Sequence, residues 1–257
     1  MSRRPRLAVF KFASCDGCQL QLLNLERELL LLAERIEIAH FPEATSRSLP
    51  GPYDLALVEG SISTPEDAER IREVRESARR LVTIGACATA GGIQWLRALE
   101  PLESFAAAVY PRPEWLRVMP ESTPVSEHVP VDYELHGCPV SREQLLRVIL
   151  RELLGTTPDL PQHSVCIECK RRGAVCVTVA AGTPCLGPAT RAGCGAICPA
   201  LGRGCYGCFG AASDARAVTL ARSFLARGES PESVWRRFSG ITGREPAFRR
   251  AAEAARG

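Results

Sequence analysis

The sequence CIECKRRGAVCVTVAAGTPCLGPATRAGCGAICPALGRGCYGC occupies residues 166–208 and holds eight of the chain's twelve cysteines. The residues between them are mostly Gly, Pro, Ala and Thr, and no helical or strand period persists through the segment. Such a stretch buries too little apolar surface to offset the entropy that it loses on ordering. We therefore expect covalent or coordinate bonds to hold it. Disulfides, zinc and iron–sulfur clusters are the three candidates.

The composition is that of an ordinary globular protein, with 257 residues, 46% of them hydrophobic, and a net charge of +3. The basic residues are scattered among glutamates, as on solvated helix faces, so we expect no nucleic-acid partner. No run of 18 apolar residues occurs, and no export signal follows Arg3-Arg4, so we expect no transmembrane segment and a cytoplasmic location. Disulfides are disfavoured there, which favours metal or redox chemistry for the cysteines.

Strand and helix patterns alternate through the first 155 residues. Strands are predicted over 6–13, 36–41, 53–59, 81–86 and 132–137, and helices over 19–35, 65–80 and 141–154. The helix signals include Thr64 before Pro65 and a capping box from Ser141 to Gln144. This alternation predicts an α/β domain with a doubly wound parallel sheet, residues 1–155. Residues 156–257 are predicted to form a second, mostly irregular domain flanked by helices over 212–226, around Trp235, and over 245–256.

Four cysteines lie outside the dense segment, and each follows a predicted strand. Cys15 and Cys18 follow the first strand, and Cys87 and Cys138 follow two later ones. The carboxyl ends of parallel strands share one edge of an open sheet, where ligands bind. We therefore expect the four thiols to converge. Glu59 also ends a strand and either faces the same edge or serves only in a turn.

Other interpretations of these residues are weaker. Cys15-x-x-Cys18 alone resembles a redox pair, but two more cysteines at equivalent strand ends argue against that. The glycine-rich run over 85–92 lacks the lysine and the spacing of a phosphate-binding loop, and its small residues suit a bulky cluster. A zinc site built from Cys166-x-x-Cys169 and Cys205-x-x-Cys208 would leave the other cysteines unexplained. Twelve cysteines make three sets of four, as three cubane clusters require.

Five short motifs then make the sequence recognisable. They are SCDGCQLQLLN (14–24), VEGSIST (58–64), GACATAGG (85–92), HGCP (136–139) and CLGPATRAGC (185–194). Together they resemble the small iron–sulfur subunit of nickel–iron hydrogenases, and most of all the delta subunit of the cytoplasmic sulfhydrogenase or NADP-reducing type. The resemblance covers nearly the whole chain.

The resemblance implies a flavodoxin-like first domain and three [4Fe–4S] clusters. The proximal cluster would be held by Cys15, Cys18, Cys87 and Cys138. The distal cluster would be held by Cys166, Cys169, Cys176 and Cys185, and the medial cluster by Cys194, Cys198, Cys205 and Cys208. Cys166 stands where the periplasmic branch has histidine, and Cys198 where that branch has proline. Both departures point to the cytoplasmic type.

The implied function is electron relay. Hydrogen would be cleaved at the nickel–iron site of a separate large subunit, and this chain would pass electrons to a flavin and NAD(P)-type acceptor, with ferredoxin-like iron–sulfur subunits as further partners. An alternative is an iron–sulfur subunit of another redox complex, similar to a quinone reductase. That relative is expected to carry an adjacent Cys-Cys pair and one cluster, and no Cys-Cys pair occurs in this sequence.

Overall fold

The computed structural model describes residues 3–257 and divides into two compact units. The first ends at Asp159, and the second comprises Leu160–Gly257. No helix within residues 3–257 combines the length and the apolar character that crossing a membrane requires.

The first unit is an α/β domain. Its strands are β1 (Arg6–Lys11), β2 (Glu37–His40), β3 (Tyr53–Glu59), β4 (Ala78–Ile84) and β5 (Tyr133–Leu135). Its helices are α1 (Gly17–Leu23), α2 (Arg27–Arg35), α3 (Pro65–Ser77), α4 (Gly85–Ala90), α5 (Leu102–Val109) and α6 (Arg142–Leu153).

Within residues 3–257 the five strands form one parallel sheet in the order β2-β1-β3-β4-β5. This is the flavodoxin-like order, and its topological switch point lies between β1 and β3. The predicted fold class is therefore confirmed. The central strand β3 is apolar almost throughout because helices cover parallel sheets on both faces. Ile71 and Val74 of α3 pack with Ala56 and Val58 of β3 in one buried cluster.

Two local features differ from the sequence-based expectation. The helix predicted over 19–35 is two helices, because the chain turns at Asn24–Glu26 and Glu26 has φ 47°. This turn carries Leu25 into the core, where it is buried. The strand expected to run as far as Cys87 ends at Ile84, since Gly85 turns the chain with φ +88° and starts α4.

The second unit has a hydrophobic core of its own. Its helices are α7 (Val165–Arg171), α8 (Val177–Ala181), α9 (Ile197–Ala200), α10 (Ala217–Ala226), α11 (Pro231–Phe238) and α12 (Pro246–Arg256). The large core side chains come from α10, α11 and α12, where Phe238 lies 6.3 Å from Phe224 and 5.8 Å from Phe248, ring centre to ring centre. The cysteine segment adds mainly small residues to this core, together with Val177 and Leu186.

Candidate metal centres

Four cysteines follow strands of the parallel sheet at its carboxyl edge. Cys15 and Cys18 follow β1, Cys87 lies in α4 directly after β4, and Cys138 follows β5. Cys18 and Cys87 are buried, whereas Cys15 and Cys138 are exposed. The thiols are close enough for their charges to interact: Cys15 and Cys138 act on Cys87, and Cys87 and Cys138 act on Cys18. The structure thus brings the four together.

The electrostatics of these thiols suit ligands of a cation. Burial raises the pKa of Cys87 to about 12, with a smaller opposing effect of a backbone hydrogen bond, and the charges of Cys138 and Cys15 add to the rise. Burial also raises the pKa of Cys18 and Cys138. Such thiols stay protonated in neutral water, whereas a coordinating metal ion deprotonates its thiol ligands outright. The donor set therefore fits a positively charged metal centre.

Two glycines leave space around the buried sulfurs. A Cβ at Gly85 would collide with Sγ of Cys18, and a Cβ at Gly92 would collide with Sγ of Cys87. Both glycines also have positive φ, at +88° and +63°. No residue with a side chain fits at either position without displacing a cysteine. The glycine-rich run over 85–92 thus forms the wall of the cysteine site.

Glu59 faces this edge of the sheet from the end of β3, and is buried. Its carboxylate accepts hydrogen bonds from the backbone N–H of Cys18 at 3.0 Å and of Gln19 at 3.1 Å. Burial raises the pKa of Glu59, and these hydrogen bonds oppose the rise. Of the two interpretations of Glu59 drawn from the sequence, the structure supports the one in which it faces the thiols. It fixes the start of α1 and thereby the position of Cys18.

In the second unit, the four cysteines assigned to a distal cluster surround one cavity. Cys166, Cys169, Cys176 and Cys185 all line a space of about 210 Å³. The remaining wall is largely apolar and includes Phe224 from the helical core. Burial and the charges of the neighbouring thiols raise the pKa of Cys166 and Cys169. The four thiols therefore line one shared cavity.

Cys185 also contacts the other cysteine set. Its Sγ accepts hydrogen bonds from the backbone N–H of Cys205 at 3.2 Å and of Gly187 at 3.4 Å. Sγ of Cys205 in turn accepts from the N–H of Gly207 at 3.4 Å. Donors of this kind help to set the potential of a cluster whose sulfur they bind. Cys185 thus lies beside both sets, and its assignment to one of them remains a prediction.

Of the four remaining cysteines, Cys205 is buried and Cys194, Cys198 and Cys208 are half-buried. Cys194 precedes the turn at Ala196 that starts α9, and Cys198 follows it. Burial is the main cause that raises the pKa of Cys194, and the charge of Cys198 raises this pKa further. The charge of Cys194 acts on Cys205. Cys208 follows Cys205 by three residues and is also half-buried. Cys194 therefore lies close enough to both Cys198 and Cys205 for electrostatic interaction.

Between residues 3 and 257, no group of three or more His, Cys, Asp or Glu side chains has the spacing that would hold a single metal ion. A cubane cluster binds one thiolate at each of four iron atoms, so its ligands stand further apart than those of one ion.

Two neighbours of the cysteines had no signal in the sequence. Sγ of Cys205 lies 3.6 Å from Oγ1 of the buried Thr190, whose hydroxyl donates to the carbonyl of Leu186 at 2.7 Å. The carboxylate of Glu168 accepts from the backbone N–H of Gly193 at 2.9 Å. Both contacts join residues 15 to 25 positions apart, which no local pattern reveals.

Comparison with known proteins identifies the class to which this fold and these cysteines belong. Residues 15–151, more than half of the chain, match the family described as the 20 Kd subunit of NADH ubiquinone oxidoreductase. The chain belongs to this family.

Its similar relatives are hydrogenase subunits. The chain is 38% identical to the sulfhydrogenase 2 subunit delta of Pyrococcus furiosus, over 81% of this chain and 87% of that protein. It is 31% identical to one subunit of the F420-non-reducing hydrogenase vhu of Methanococcus voltae, over 89% and 91% of the two chains. A solved NAD⁺-reducing [NiFe]-hydrogenase contains a chain that matches with TM-score 0.57 and 31% identity, covering 62% of this chain and 96% of that one.

Within the family, this chain is thus a small, delta-type subunit of a hydrogenase. It is an electron-transfer subunit with iron–sulfur centres, and the active site of the enzyme lies in a partner large subunit.

Proposed function

We propose that this chain relays electrons through three [4Fe–4S] clusters, between the nickel–iron site of the large subunit and an acceptor subunit of the flavin and NAD(P) type. The clusters would supply one-electron redox centres. The chain's own cysteines would hold them, and backbone N–H groups donate hydrogen bonds to Sγ of Cys185 and Cys205. The observation that carries the proposal is the convergence of Cys15, Cys18, Cys87 and Cys138 at the edge of the sheet, in a chain similar to hydrogenase delta subunits.

The cluster ligands are proposed as the family resemblance implies. Cys15, Cys18, Cys87 and Cys138 would hold the proximal cluster. Cys166, Cys169, Cys176 and Cys185 would hold the distal one, and Cys194, Cys198, Cys205 and Cys208 the medial one. The cavity of about 210 Å³ supports the distal set, and the N–H of Cys205 on Sγ of Cys185 is the observation against it. Ferredoxin-like iron–sulfur subunits and a cytoplasmic location are further parts of the proposal.

A test of the relay uses the intact complex with Cys15 replaced by Ser. The wild-type chain should contain about twelve iron atoms, and hydrogen should bleach the visible absorbance of all its clusters. In the Cys15→Ser complex, hydrogen should no longer reduce the remaining clusters, whereas dithionite, which needs no relay, should still reduce them. Normal reduction of every cluster by hydrogen in this variant would disprove the proximal assignment.

The partition of the second unit's cysteines has its own test. Cys198→Pro removes one proposed medial ligand and should leave a three-iron cluster, visible by electron paramagnetic resonance in the oxidised state. Cys185→Ser should then alter the distal signal and spare the medial one. If Cys185→Ser instead perturbs the medial signal, Cys185 belongs with Cys205. A four-iron medial cluster in the Cys198→Pro chain would remove Cys198 from the ligands.

A further inference from the structure

Beside the distal cysteines, the second unit presents large apolar side chains to solvent. Val175 is 72% exposed, Val179 is 85% exposed and Leu201 is 74% exposed. Single exposed apolar residues are normal on a protein surface, but a group of them next to a functional site marks a contact surface.

Val175 lines a groove of about 590 Å³, which we call the α8–α9 groove, and Leu201 lies in the chain between two of its lining residues, Ala200 and Gly202. Val179 lines the neighbouring cavity of the distal cysteines. The groove is lined by residues 172–175, by one face of α8, and by Pro199, Ala200 and Gly202. Val177 and Pro199 line both this groove and the cavity of Cys166, Cys169 and Cys176. The wall between the groove and the cysteine cavity is therefore thin. A redox centre seated in the groove would lie close to these thiols.

Positive charge is concentrated around the groove. Residues 160–210 contain five basic side chains and one acidic one, Glu168. The carboxylate of Glu168 accepts from the N–H of Gly193, and its single negative charge offsets only one of the five basic side chains. The carbonyl of Gly195 accepts from the guanidinium of Arg172 at 2.9 Å, which fixes Arg172 at the edge of the groove.

The same asymmetry holds for the whole second unit. Residues 160–257 carry 14 basic and six acidic side chains, a formal charge of +8, whereas residues 1–159 carry 18 basic and 23 acidic ones, a formal charge of −5. Each proposed cluster with its four thiolates would add about −2 in the oxidised state, which leaves the second unit positive and the first negative. A field of one sign over a docking surface steers a partner of the opposite sign. It also disfavours a second copy of this unit as the occupant, since two equal positive charges would meet.

We propose that the α8–α9 groove is the docking surface for a redox protein with an acidic surface around its own redox centre. The apolar residues would form the dry centre of the interface, and Lys170, Arg171, Arg172 and Arg203 its charged rim. This inference rests on the proposed function and names the partner of its outer end. The electron balance is simple: oxidation of H₂ in the large subunit yields two protons and two electrons, and each electron reduces one acceptor centre by one unit.

The test measures binding of a defined probe, an acidic plant-type [2Fe–2S] ferredoxin, to the purified complex of this chain with its large subunit, freed of acceptor subunits, at low and high salt. The charge variant is Arg171→Glu with Arg172→Glu. Its matched control is Arg249→Glu with Arg250→Glu, an adjacent exposed arginine pair on α12 of the same unit. The apolar variant is Val175→Ser with Leu201→Ser, in which both side chains are exposed and neither contributes to the core.

The charge variant should weaken ferredoxin binding about tenfold at low salt and flatten its salt dependence. The apolar variant should weaken binding about fivefold and leave the salt dependence unchanged. The control pair should change binding less than twofold. Reduction of methyl viologen, a small dye that needs no protein docking, should stay within twofold of the wild-type rate in all variants.

Three results would overturn the proposal. Equal weakening by the control pair would mean a diffuse charge effect and no groove. Unchanged binding in the apolar variant would exclude docking in the groove, whatever the charge variant does. Protection of residues 172–181 from hydrogen exchange by the large subunit alone would mean that the large subunit already covers it. A separate measurement tests the proposed relay itself. If hydrogen does not bleach the clusters before ferredoxin is added, the relay fails, whatever the binding results are.

Discussion

Gly85 and Gly92 lie where the backbone comes closest to the buried sulfurs of Cys18 and Cys87. Replacing either by Ala places a methyl group on a sulfur and forces an unfavourable positive φ. The backbone conformation alone costs about 1–2 kcal/mol, so the collision must be separated from it. Gly173 provides the matched control, because it has φ +68° and nothing within 4 Å of the position of a Cβ.

We therefore expect Gly92→Ala to lose the proximal cluster, about four iron atoms per chain, whereas Gly173→Ala keeps all of them. Gly85→Ala should behave like Gly92→Ala. Iron content per chain and the visible spectrum of the purified complex give the measurement. A Gly92→Ala chain with full iron content would show that the backbone of α4 can move away from Cys87.

At the scale of elements, Asp132 links β4 to the helices around it. Its carboxylate accepts from the N–H of Leu81 at 2.7 Å, from Arg75 of α3 at 2.6 Å and from Arg80 at 2.9 Å. Arg80 also donates two hydrogen bonds to the buried Glu152 of α6, at 2.7 and 3.1 Å. Although burial opposes it, these donors lower the pKa of Asp132. One carboxylate thus ties the last long strand to two helices.

Asp132→Asn should destabilise the first unit by about 1.5–3 kcal/mol at pH 7, the contribution of hydrogen bonds to a charged group. Because the pKa of the native carboxyl is lowered, its stabilisation is present above the unfolded pKa, 3.8, and is lost as the pH falls through the native value. The difference between variant and wild type should therefore shrink below about pH 4.

Urea unfolding of the iron-free chain can follow the first unit alone in a Trp235→Phe background, since the two other tryptophans, Trp95 and Trp115, lie there. Glu100→Gln, in an exposed turn, is the control and should change stability by less than about 0.5 kcal/mol. The same loss at pH 7 and pH 3 for Asp132→Asn would contradict the electrostatic explanation.

Helix-capping signals in the sequence correctly predicted where two helices begin. Thr64 caps α3 by accepting from the N–H of Asp67 at 3.0 Å, and Ser141 caps α6 by accepting from the N–H of Gln144 at 3.4 Å. Such contacts join residues three apart, so the sequence displays them directly. The break before α2 was not predictable in this way, because it depends on where the core receives Leu25. The neighbours of Cys185 likewise depend on the three-dimensional course of the whole segment.

The two units differ in where their cores come from. In the first, the sheet itself supplies fully buried Leu55, Leu57 and Leu81. In the second, the large buried side chains come from α10, α11 and α12, and residues 166–208 bury mostly alanines and cysteines. The sequence predicts a weak core in the cysteine segment and packing surfaces on the C-terminal helices, but it does not show that Phe224, Phe238 and Phe248 meet in one core. The metal should therefore matter most for the segment that lies between these two cores in the sequence.

The last prediction concerns the iron-free chain. Since residues 166–208 bury little large apolar surface, their ordering should depend on metal ligation, as in other small modules held by metal. Without iron this segment should open first, while the sheet of the first unit and the phenylalanine core resist. Trypsin should then cut early after Lys170, Arg171, Arg172 or Arg203, which are exposed already in the folded chain.

Limited proteolysis of iron-free and iron-loaded complex gives the comparison. The iron-free chain should release a stable fragment that contains the first unit and ends beyond Gly155, whereas the iron-loaded chain should be cut slowly at the same arginines. Exposed basic residues in the first unit, such as Arg35, Arg47 and Arg79, are the internal control, because the fold around them is expected not to depend on metal. Equal resistance of both units after iron removal would mean that the packing of α10–α12 is sufficient to hold the cysteine segment, and that the clusters serve electron transfer without stabilising the fold.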